Sequence, residues 1–272
     1  MSNYFTRTRR TSVFTLVLFF IGYTSCFAQI KVDSSKIVRV LSFNIYHGET
    51  VNAKQKFDLD LLAKIINDVQ ADVVALQEVD FKTERARNYD LVTELGQRTK
   101  MAGIFGKAMP FDGGEYGEGV LSKYSFLTTR NHPLKAREDK EPRTAMAVDI
   151  ELRSGDVIRF IGTHLDHTKE ETDRINQANQ LNEIFTKDDL PTILAGDLNA
   201  RPESETMKIL FKEWAPSDPE FELTAPSDDP HAKIDYVLFR PAHKWRVLET
   251  QVICNERATD HCALLSVLEL SS

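Results

Sequence analysis

Apolar runs of strand length alternate with runs of helical spacing along most of the chain. Positions 38–45 are mainly apolar and include β-branched residues, which predicts a buried strand. A first helix is predicted after the capping residue Asp58, with its apolar positions at Leu59, Leu62, Ile65, Ile66 and Val69. Residues 89–100 and 170–185 predict two more helices. Strands and helices that alternate along one chain indicate a layered α/β or α+β domain.

Short apolar or alternating segments dominate the rest of the chain. They predict strands over 72–77, 120–121, 126–132, 144–152, 157–164, 192–195, 234–239, 245–253 and 262–268. Ser154-Gly155 predicts a hairpin turn, and Pro202 is expected to open a helix that runs to Leu210. Four glycines within 113–119 predict a loop with unusual backbone angles, and 215–230 predicts a long surface loop.

The first 28 residues have the pattern of a secretory signal. Arginines at positions 7, 9 and 10 precede an apolar run over 13–23, which is short for a helix that spans a bilayer. Residues 26–29 resemble a cleavage site that ends in a small residue. We therefore predict a signal peptide over 1–28 and a single domain over 29–272. A retained membrane anchor and a lipoprotein acylated at Cys26 stay open as alternatives.

Charge and cysteine content narrow the choice of partners and compartment. The chain has 34 basic and 41 acidic residues and a net charge of −7. Residues 1–28 contain three arginines and no acids, so their removal leaves 31 basic and 41 acidic residues, about −10. Binding of a long polyanion needs a clustered basic surface, so the composition favours small substrates. Cys254 and Cys262 could pair in an oxidising compartment, but we favour two buried thiols.

Polar and titratable residues follow several of the predicted strands. Asn44 comes near the end of the first strand, and Glu78 directly follows the strand predicted over 72–77. A carboxylate placed there needs a metal, a cation or exposure, and amide and carboxylate oxygens suit Mg²⁺. Loops gather at the edge of a sheet where strands end, so these side chains are expected to share one site.

Three later segments repeat this pattern. His164 and Asp166 share one face if their strand continues, and the same holds for Asp197 and Asn199. In Asp260-His261, an acid stands beside a histidine whose basicity and orientation it can control. Each segment is a weak signal alone, and their conjunction in one chain is what indicates a catalytic site.

Together these segments resemble the endonuclease/exonuclease/phosphatase superfamily, which contains deoxyribonuclease I-like nucleases, inositol polyphosphate phosphatases and neutral sphingomyelinases. The matching motifs run from Ser42 to His261: SFNI, LQEV, GEGVLSK, PRTA, THLDH, GDLN, IDYV and TDH. The resemblance implies a deoxyribonuclease I-like fold, a four-layer α/β/β/α sandwich of two mixed sheets flanked by helices. It also implies a metal-dependent hydrolase of phosphoester bonds that uses Mg²⁺, with Mn²⁺ as an alternative.

The resemblance further implies roles for the chemical groups. Asn44 and Glu78 are implied to bind the catalytic metal. His261 is implied to activate the attacking water, with Asp260 as its orienting partner. In some mechanisms of the family, His261 instead stabilises the phosphate and Asp197 activates the water.

The remaining implied roles concern the substrate. His164 is implied to hydrogen-bond a phosphoryl oxygen, and Asn199, with the aspartate two positions before it, to position the nucleophile and the phosphate. Arg143 matches a family arginine that reaches the cleft and binds phosphate bidentately; an ordinary surface arginine is the alternative. Asp166 matches a site acid of variable role, and Asp235 resembles a supporting acid near the last motif.

Glu118 departs from the family pattern. Many relatives have Asn or another small polar residue at this position. A carboxylate adds negative charge near the phosphate site, unless it pairs with a cation such as Arg143. This substitution argues against tight binding of a highly charged substrate.

Three functions follow for testing. We favour an exported phosphodiesterase or phosphatase, located in the periplasm, outside the cell or on a lipid anchor, that acts on a small phosphoester or a phospholipid headgroup. The alternative is a secreted nuclease, for which Lys82, Arg85 and Arg87 could line a basic cleft. The third is a non-catalytic binding module on the same fold. No stable protein partner is implied, and a monomer is expected.

Overall fold

Two large mixed β-sheets pack face to face in the computed structural model, which describes residues 33–51 and 53–271. Asp33–Ser272 forms one compact unit. The signal segment predicted over 1–28, with its cleavage and acylation sites, lies outside the described residues. No helix within the described ranges is long and apolar enough to cross a membrane.

The helices are α1 (Leu59–Asp68), α2 (Leu91–Thr99), α3 (Thr172–Phe185) and α4 (Glu205–Leu210), with short 3₁₀ turns at Ser34–Lys36, Tyr46–Gly48 and Ala242–Lys244. The strands are β1 (Ile37–Asn44), β2 (Glu49–Thr50), β3 (Ala53–Phe57), β4 (Val73–Phe81), β5 (Ala102–Phe111), β6 (Gly114–Ser122), β7 (Phe126–Leu134), β8 (Arg143–Glu151), β9 (Val157–His164), β10 (Thr192–Asp197), β11 (Ala215–Pro216), β12 (Asp235–Arg240), β13 (Trp245–Ile253) and β14 (Ala263–Leu270).

The strand order places the sequence motifs in the middle of the two sheets. The first sheet runs β13-β14-β1-β4-β6-β5, and the second runs β11-β12-β10-β9-β8-β7. The pairs β1–β4 and β9–β10 are parallel, whereas β14, β6, β12 and β8 run antiparallel to them. Strands β2 and β3 form a separate small ribbon.

Helices cover the outer face of each sheet. The core between α1, α2 and the first sheet includes Leu41, Leu62, Ile66, Val74 and Leu95. The core between α3, α4 and the second sheet includes Ile161, Ala178, Leu181, Leu194 and Leu210. Between the sheets lie buried residues that include Val40, Ala75, Phe160, Ile193 and Leu264. This arrangement confirms the predicted four-layer α/β/β/α sandwich.

Burial on both faces explains why these strands have near-continuous apolar sequences. In β1, Val38 and Val40 face the second sheet, while Leu41 and Phe43 face the helices. The predicted cap of α1 is confirmed, since the Asp58 carboxylate accepts a hydrogen bond from the backbone N–H of Leu61 at 2.9 Å.

The loop predicted over 113–119 is wrong beyond Gly113, because residues 114–119 lie in strand β6 beside the unpredicted strand β5. The glycines of this strand allow the backbones of the neighbouring strands to approach closely. A Cβ on Gly117 would lie 2.0 Å from the carbonyl oxygen of Gly106, and one on Gly114 would lie 2.3 Å from that of Phe81. The turn itself is confined to Asp112 and Gly113, both at positive φ.

Two further expectations need correction. Helix α4 begins at Glu205 rather than at Pro202, because Ser204 is the residue whose side chain caps it, accepting the backbone N–H of Met207. Cys254 and Cys262 form a disulfide rather than two buried thiols. The chain folds back between β13 and β14, which brings the two sulfur atoms together.

Candidate active site

The chemical residues gather at one edge of the sandwich because of the strand directions. The parallel strands β1 and β4 bring Asn44 opposite Gln77, next to Glu78. The parallel strands β9 and β10 bring His164 opposite Asp197, and the antiparallel strand β12 begins with Asp235 opposite Asp197. Residues that are far apart in the sequence therefore meet at this edge.

Several residues of this edge have left-handed backbone conformations that side chains other than glycine rarely adopt. Glu78 has φ of 58° within β4, where the pairing with β6 shifts register between Leu76 and Val79. His47 has φ of 43° and Asn199 has φ of 47°. Such conformations cost on the order of 1–3 kcal/mol each and concentrate at functional sites. The bulge in β4 changes the alternation of the strand at Glu78.

An amide and two carboxylates form the first cluster of the site. Asn44 Nδ2 donates to Glu78 Oε1 at 3.1 Å and to Asp197 Oδ2 at 3.3 Å. Burial raises the pKa of Glu78, but His47, whose Nδ1 lies 3.7 Å from the carboxylate, and the hydrogen bond from Asn44 outweigh it and hold the pKa at about 2. The carboxylates of Glu78 and Asp197 fit a hard divalent cation such as Mg²⁺. Asn44 would join them as a ligand by turning its amide oxygen toward them, since that oxygen now accepts the backbone N–H of Tyr46 at 3.1 Å.

A second group shares Asp197 with the first. Ligand atoms of Asp197, Asp235 and His261 lie within 4.8 Å of one another and could also hold a metal ion. However, Asp235 already accepts a hydrogen bond from His261 Nδ1, at 3.0 Å to Oδ2. The donor sets of both groups fit a divalent cation, and Asn44 with Glu78 supplies the purely oxygen-based one.

Asp235, not Asp260, is the partner of His261, so the predicted Asp260–His261 pair is wrong. Within the described residues, the Asp260 carboxylate makes no hydrogen bond or ion pair with His261. It lies 3.4 Å from Thr259 Oγ1, a hydroxyl that is 2.8 Å from the backbone carbonyl oxygen of Asn44. His261 Nε2 lies 3.6 Å from Asp197 Oδ2. Burial lowers the pKa of His261, but the charges of Asp235 and Asp197 outweigh it and hold the pKa well above its usual value. Burial and the charge of Asp235 raise the pKa of Asp197, against the charge of His261.

His164 has the opposite electrostatic environment. Its Nδ1 lies 3.4 Å from Arg143 Nη1, and its Nε2 lies 2.9 Å from Asn199 Nδ2 and 3.4 Å from Asp197 Oδ2. Burial and the charge of Arg143 hold the pKa of His164 well below its usual value. Arg143 Nη1 and the amide nitrogen of Asn199 are both donors, so they compete for the one acceptor nitrogen of the neutral His164 ring.

These groups line a cavity of about 310 Å³. Its lining comprises His47, Glu78, Arg85, Met109, Phe111, Tyr116, Glu141, Arg143, His164, His167, Asp197, Asn199 and His261. Arg143 is 2% exposed and reaches the cavity, so the alternative of an ordinary surface arginine is wrong. Its Nη2 contacts Glu141 at 3.1 Å and His167 at 3.0 Å.

Five predicted site residues lie outside this lining: Asn44, Glu118, Asp166, Asp235 and Asp260. Strand β9 ends at His164, so the alternation that would bring Asp166 to the same face is lost. Asp166 is buried and accepts hydrogen bonds from the backbone and hydroxyl of Thr168. Glu118 is buried below the cavity without a hydrogen-bond partner in the described part of the chain. Burial raises its pKa well above the usual value, against the charge of Arg143.

Other cavity residues were not singled out from the sequence. His47 lies between Glu78 and Glu49, with contacts of 3.7 Å and 3.6 Å, and His167 contacts Arg143. His47 follows the SFNI motif by two positions, and His167 is the last residue of the THLDH motif but was given no role. This position in the sequence is the one feature that could have indicated the two histidines. Ordinary loop residues share it, so it does not identify them as site residues. The basic cleft expected for a nuclease is reduced to Arg85, because Lys82 and Arg87 lie outside the lining.

Phosphoester hydrolysis requires charge neutralisation, an activated water and positioned phosphoryl oxygens. Oxygen donors, a histidine–carboxylate pair and a buried arginine at one edge of a two-sheet sandwich define a metal-dependent phosphoester hydrolase. The chain belongs to the Endonuclease/Exonuclease/phosphatase family, which it matches over residues 41–261.

Three solved structures have a similar fold. An endonuclease/exonuclease/phosphatase from Beutenbergia cavernae matches with a TM-score of 0.73 and 20% identity, over 87% of this chain and 72% of its own. The mannosyl-6-phosphatase of Bacteroides thetaiotaomicron has a TM-score of 0.66 and 16% identity, over 85% and 99%. TDP2 of D. rerio, complexed with a single-strand DNA product, has a TM-score of 0.68 and 17% identity, over 87% and 100%. At these identities the likeness establishes the fold alone.

Proposed function

We propose that the protein is an exported, Mg²⁺-dependent hydrolase of a small phosphomonoester or phosphodiester, in which the phosphoryl group binds between the carboxylates and Arg143. Mn²⁺ is the alternative cation, and a phospholipid headgroup is one form of such a substrate. The supporting observation is the cavity of about 310 Å³ in which Glu78, Asp197, His261 and Arg143 converge. That volume is at the lower end for small-molecule sites.

The charge state of each residue suggests its role in the reaction. Asn44 and Glu78 would hold the cation, which supplies Lewis-acid polarisation of a phosphoryl oxygen when bound. His261 is held as an imidazolium by Asp235, and it stabilises the phosphoryl oxygens. Asp197 has a raised pKa, which suits a group that accepts the proton of the attacking water. This assignment follows the family mechanism in which Asp197, rather than His261, is the base.

The substrate side of the cavity uses neutral and cationic donors. Arg143 is buried and remains charged, so it can bind phosphoryl oxygens through its guanidinium. Neutral His164 has one ring N–H, which it can donate to a phosphoryl oxygen. Asn199 Nδ2 lies 2.9 Å from Nε2 of His164 and restricts the orientation of the ring. Positioning of this kind is the main contribution of a protein to phosphoryl transfer.

A secreted nuclease is the second candidate. Arg85 in the cavity and the similarity to TDP2, which was solved with a DNA product, favour it. The net charge of −7 argues against a long polyanion as the substrate. A non-catalytic binding module is disfavoured, because the chain belongs to a hydrolase family and the groups needed for hydrolysis converge in one cavity.

Export is supported by the signal-like residues 1–28 and by the disulfide between Cys254 and Cys262, since disulfides persist in oxidising compartments. Whether the signal is removed or Cys26 is acylated is decided by mass spectrometry of the mature protein. A monomer without a stable protein partner remains our expectation, which sedimentation analysis would test.

The decisive experiment compares substrates under controlled metal supply. The purified protein is incubated with plasmid DNA, aryl phosphomonoesters and aryl phosphodiesters, with Mg²⁺, with Mn²⁺ and with a chelator. We expect metal-dependent turnover of a small ester that His261→Ala abolishes. Degradation of DNA without turnover of any small ester would reject the proposal in favour of the nuclease. Equal turnover by His261→Ala would reject the assigned site.

A further inference from the structure

One wall of the cavity has an apolar surface that the phosphoryl chemistry does not use. Met109 and Phe111 from β5 and Tyr116 from β6 line it, next to Arg85. Phe111 is 36% exposed. A single exposed apolar residue on an open surface is ordinary, but this ring lies inside the cavity that holds the catalytic groups. Exposed apolar surface in such a place indicates contact with a ligand.

The guanidinium of Arg85 lies against Phe111 and Tyr116 in this wall. Its central carbon lies 4.5 Å from the centre of the Phe111 ring and 5.7 Å from that of Tyr116. Asp80, whose side chain is fully buried, accepts from Arg85 Nε at 2.6 Å and from Nη2 at 2.8 Å. This two-bond contact fixes the plane of the guanidinium. Arg85 therefore presents a fixed surface to the cavity rather than a mobile charge.

The hairpin that carries Phe111 is itself held rigidly. Asp112 lies at the turn of this hairpin. Its carboxylate accepts a hydrogen bond from the backbone N–H of Arg85 at 2.7 Å, and its backbone carbonyl accepts one from the backbone N–H of Glu84 at 2.8 Å. Gly114 packs so closely on Phe81 that a Cβ would lie 2.3 Å from the carbonyl oxygen. A surface fixed before binding does not lose conformational freedom when the ligand arrives.

We propose that this wall, formed by Phe111 with Arg85 and Tyr116, binds the alcohol portion of the substrate and selects alcohols that contain a ring with a flat apolar face. The inference rests on the proposed function, because it places the phosphoryl group at Arg143. A flat ring stacks on Phe111, while Arg85 can donate to oxygens at the ring edge. The rest of the lining is mostly polar, which disfavours a long acyl chain.

The test measures binding of two non-hydrolysable phosphonates by calorimetry in the presence of Mg²⁺. Benzylphosphonate has a flat ring, and n-butylphosphonate has an open chain. We expect the wild type to bind benzylphosphonate more tightly. Phe111→Ala should raise the Kd of benzylphosphonate about three- to tenfold and that of butylphosphonate less than about twofold. Phe111→Tyr should restore benzylphosphonate binding. Leu127→Ala, which removes an exposed leucine of β7, is the matched control without effect.

Equal wild-type affinity for the two phosphonates, or an equal loss of both in Phe111→Ala, would overturn the proposal. If Phe111→Ala does not fold, as judged by thermal denaturation, Phe111→Leu replaces it, since leucine keeps the apolar bulk without a flat face. Turnover of a hexose phosphate, an aryl phosphate and glycerol phosphate then distinguishes a sugar ring from an aromatic one. If the protein prefers the ring phosphonate in binding but turns over no ester, the proposed function is rejected and this inference stands. If it turns over esters but shows no ring preference, this inference is rejected and the proposed function stands.

Discussion

The carboxylate of Asp235 accepts a hydrogen bond from Nδ1 of His261 at 3.0 Å. Asp235 lies 26 residues before His261 in the chain. The adjacent acid, Asp260, makes no such contact, and its carboxylate lies 3.4 Å from Thr259 Oγ1. A buried carboxylate against an imidazole fixes both the orientation of the ring and its charge. The state of His261 is therefore set by the second sheet, where β12 begins at Asp235, and not by its neighbour in the sequence.

This relationship predicts different effects for the two acids. Asp235→Asn removes the charge that holds His261 protonated, so we expect kcat to fall by about 10²–10⁴. Asp260→Asn is the matched control, with the same substitution beside the same histidine, and we expect a change of less than about tenfold. Steady-state kinetics of both variants on the best small ester give the comparison. A larger loss in Asp260→Asn would contradict the assignment of Asp235.

The pH dependence of kcat/KM is predicted to be bell-shaped. Below its raised pKa, Asp197 is protonated and cannot accept a proton, so the rate falls toward acid. Above its raised pKa, His261 loses the positive charge that stabilises the phosphoryl group, so the rate falls toward alkali. Rates from about pH 5 to about pH 10 at fixed Mg²⁺ would show both limbs.

Two controls accompany this profile. His261→Asn should lose the alkaline limb and retain the acid one. Saturating Mg²⁺ should move the acid limb to lower pH, because a cation near a carboxylate favours its ionised form. A rate that keeps rising through alkaline pH would instead indicate that neutral His261 is the base.

Removal of the cation should abolish turnover reversibly. The carboxylate of Glu78 has a pKa of about 2 and stays ionised throughout the working range. Glu78→Gln therefore loses a charged ligand at every pH, and we expect its Kd for Mg²⁺ to rise by at least about tenfold in calorimetry. Glu115→Gln, on exposed hairpin surface beside Lys107, is the control. Unchanged Mg²⁺ affinity in Glu78→Gln would place the cation elsewhere, for example among Asp197, Asp235 and His261.

The disulfide closes the loop that carries His261. Cys254 and Cys262 are 8 positions apart, and His261 directly precedes the second cysteine. Replacing both by serine should lower the free energy of unfolding by about 2.5 kcal/mol, as expected for a loop of this length, and should lower kcat. Urea unfolding and kinetics, with and without a thiol reductant, measure both effects. The reductant should change neither the stability nor the kcat of the double variant. If the reductant also left both quantities of the wild type unchanged, the disulfide would have no such role.

Gly196 precedes the proposed base Asp197 and has no space for a side chain. A Cβ there would lie 2.0 Å from the carbonyl oxygen of Thr163 on the parallel strand β9. Gly196→Ala should therefore destabilise the fold by about 2 kcal/mol or more and lower kcat, because the strand must move. Gly162→Ala is the control, since its nearest contact would be 3.3 Å from a side-chain methyl. Equal stability of the two variants in urea unfolding would contradict the close packing of β9 on β10.

The sequence by itself determined the layered fold and the class of chemistry. Period-two and helical patterns predict strands and helices because a buried face requires apolar residues at a regular spacing along the sequence. Asn44, Glu78, His164 and Asp197 stood out because each lies close to the C-terminal end of an apolar strand, whereas His261 precedes the last strand and its role came from the family resemblance. The glycines of 113–119 were misinterpreted, because close packing of strands and turn formation both select glycine.

Only the tertiary structure decided which of these residues act together. The antiparallel register of β10 and β12 places Asp235 opposite Asp197 and within reach of His261, and no local pattern encodes that register. The pairing of Cys254 with Cys262 and the stacking of Arg85 on Phe111 likewise depend on how distant segments pack. Contacts between strands far apart in sequence are fixed by the packing of whole sheets, so they appear only when the chain is folded.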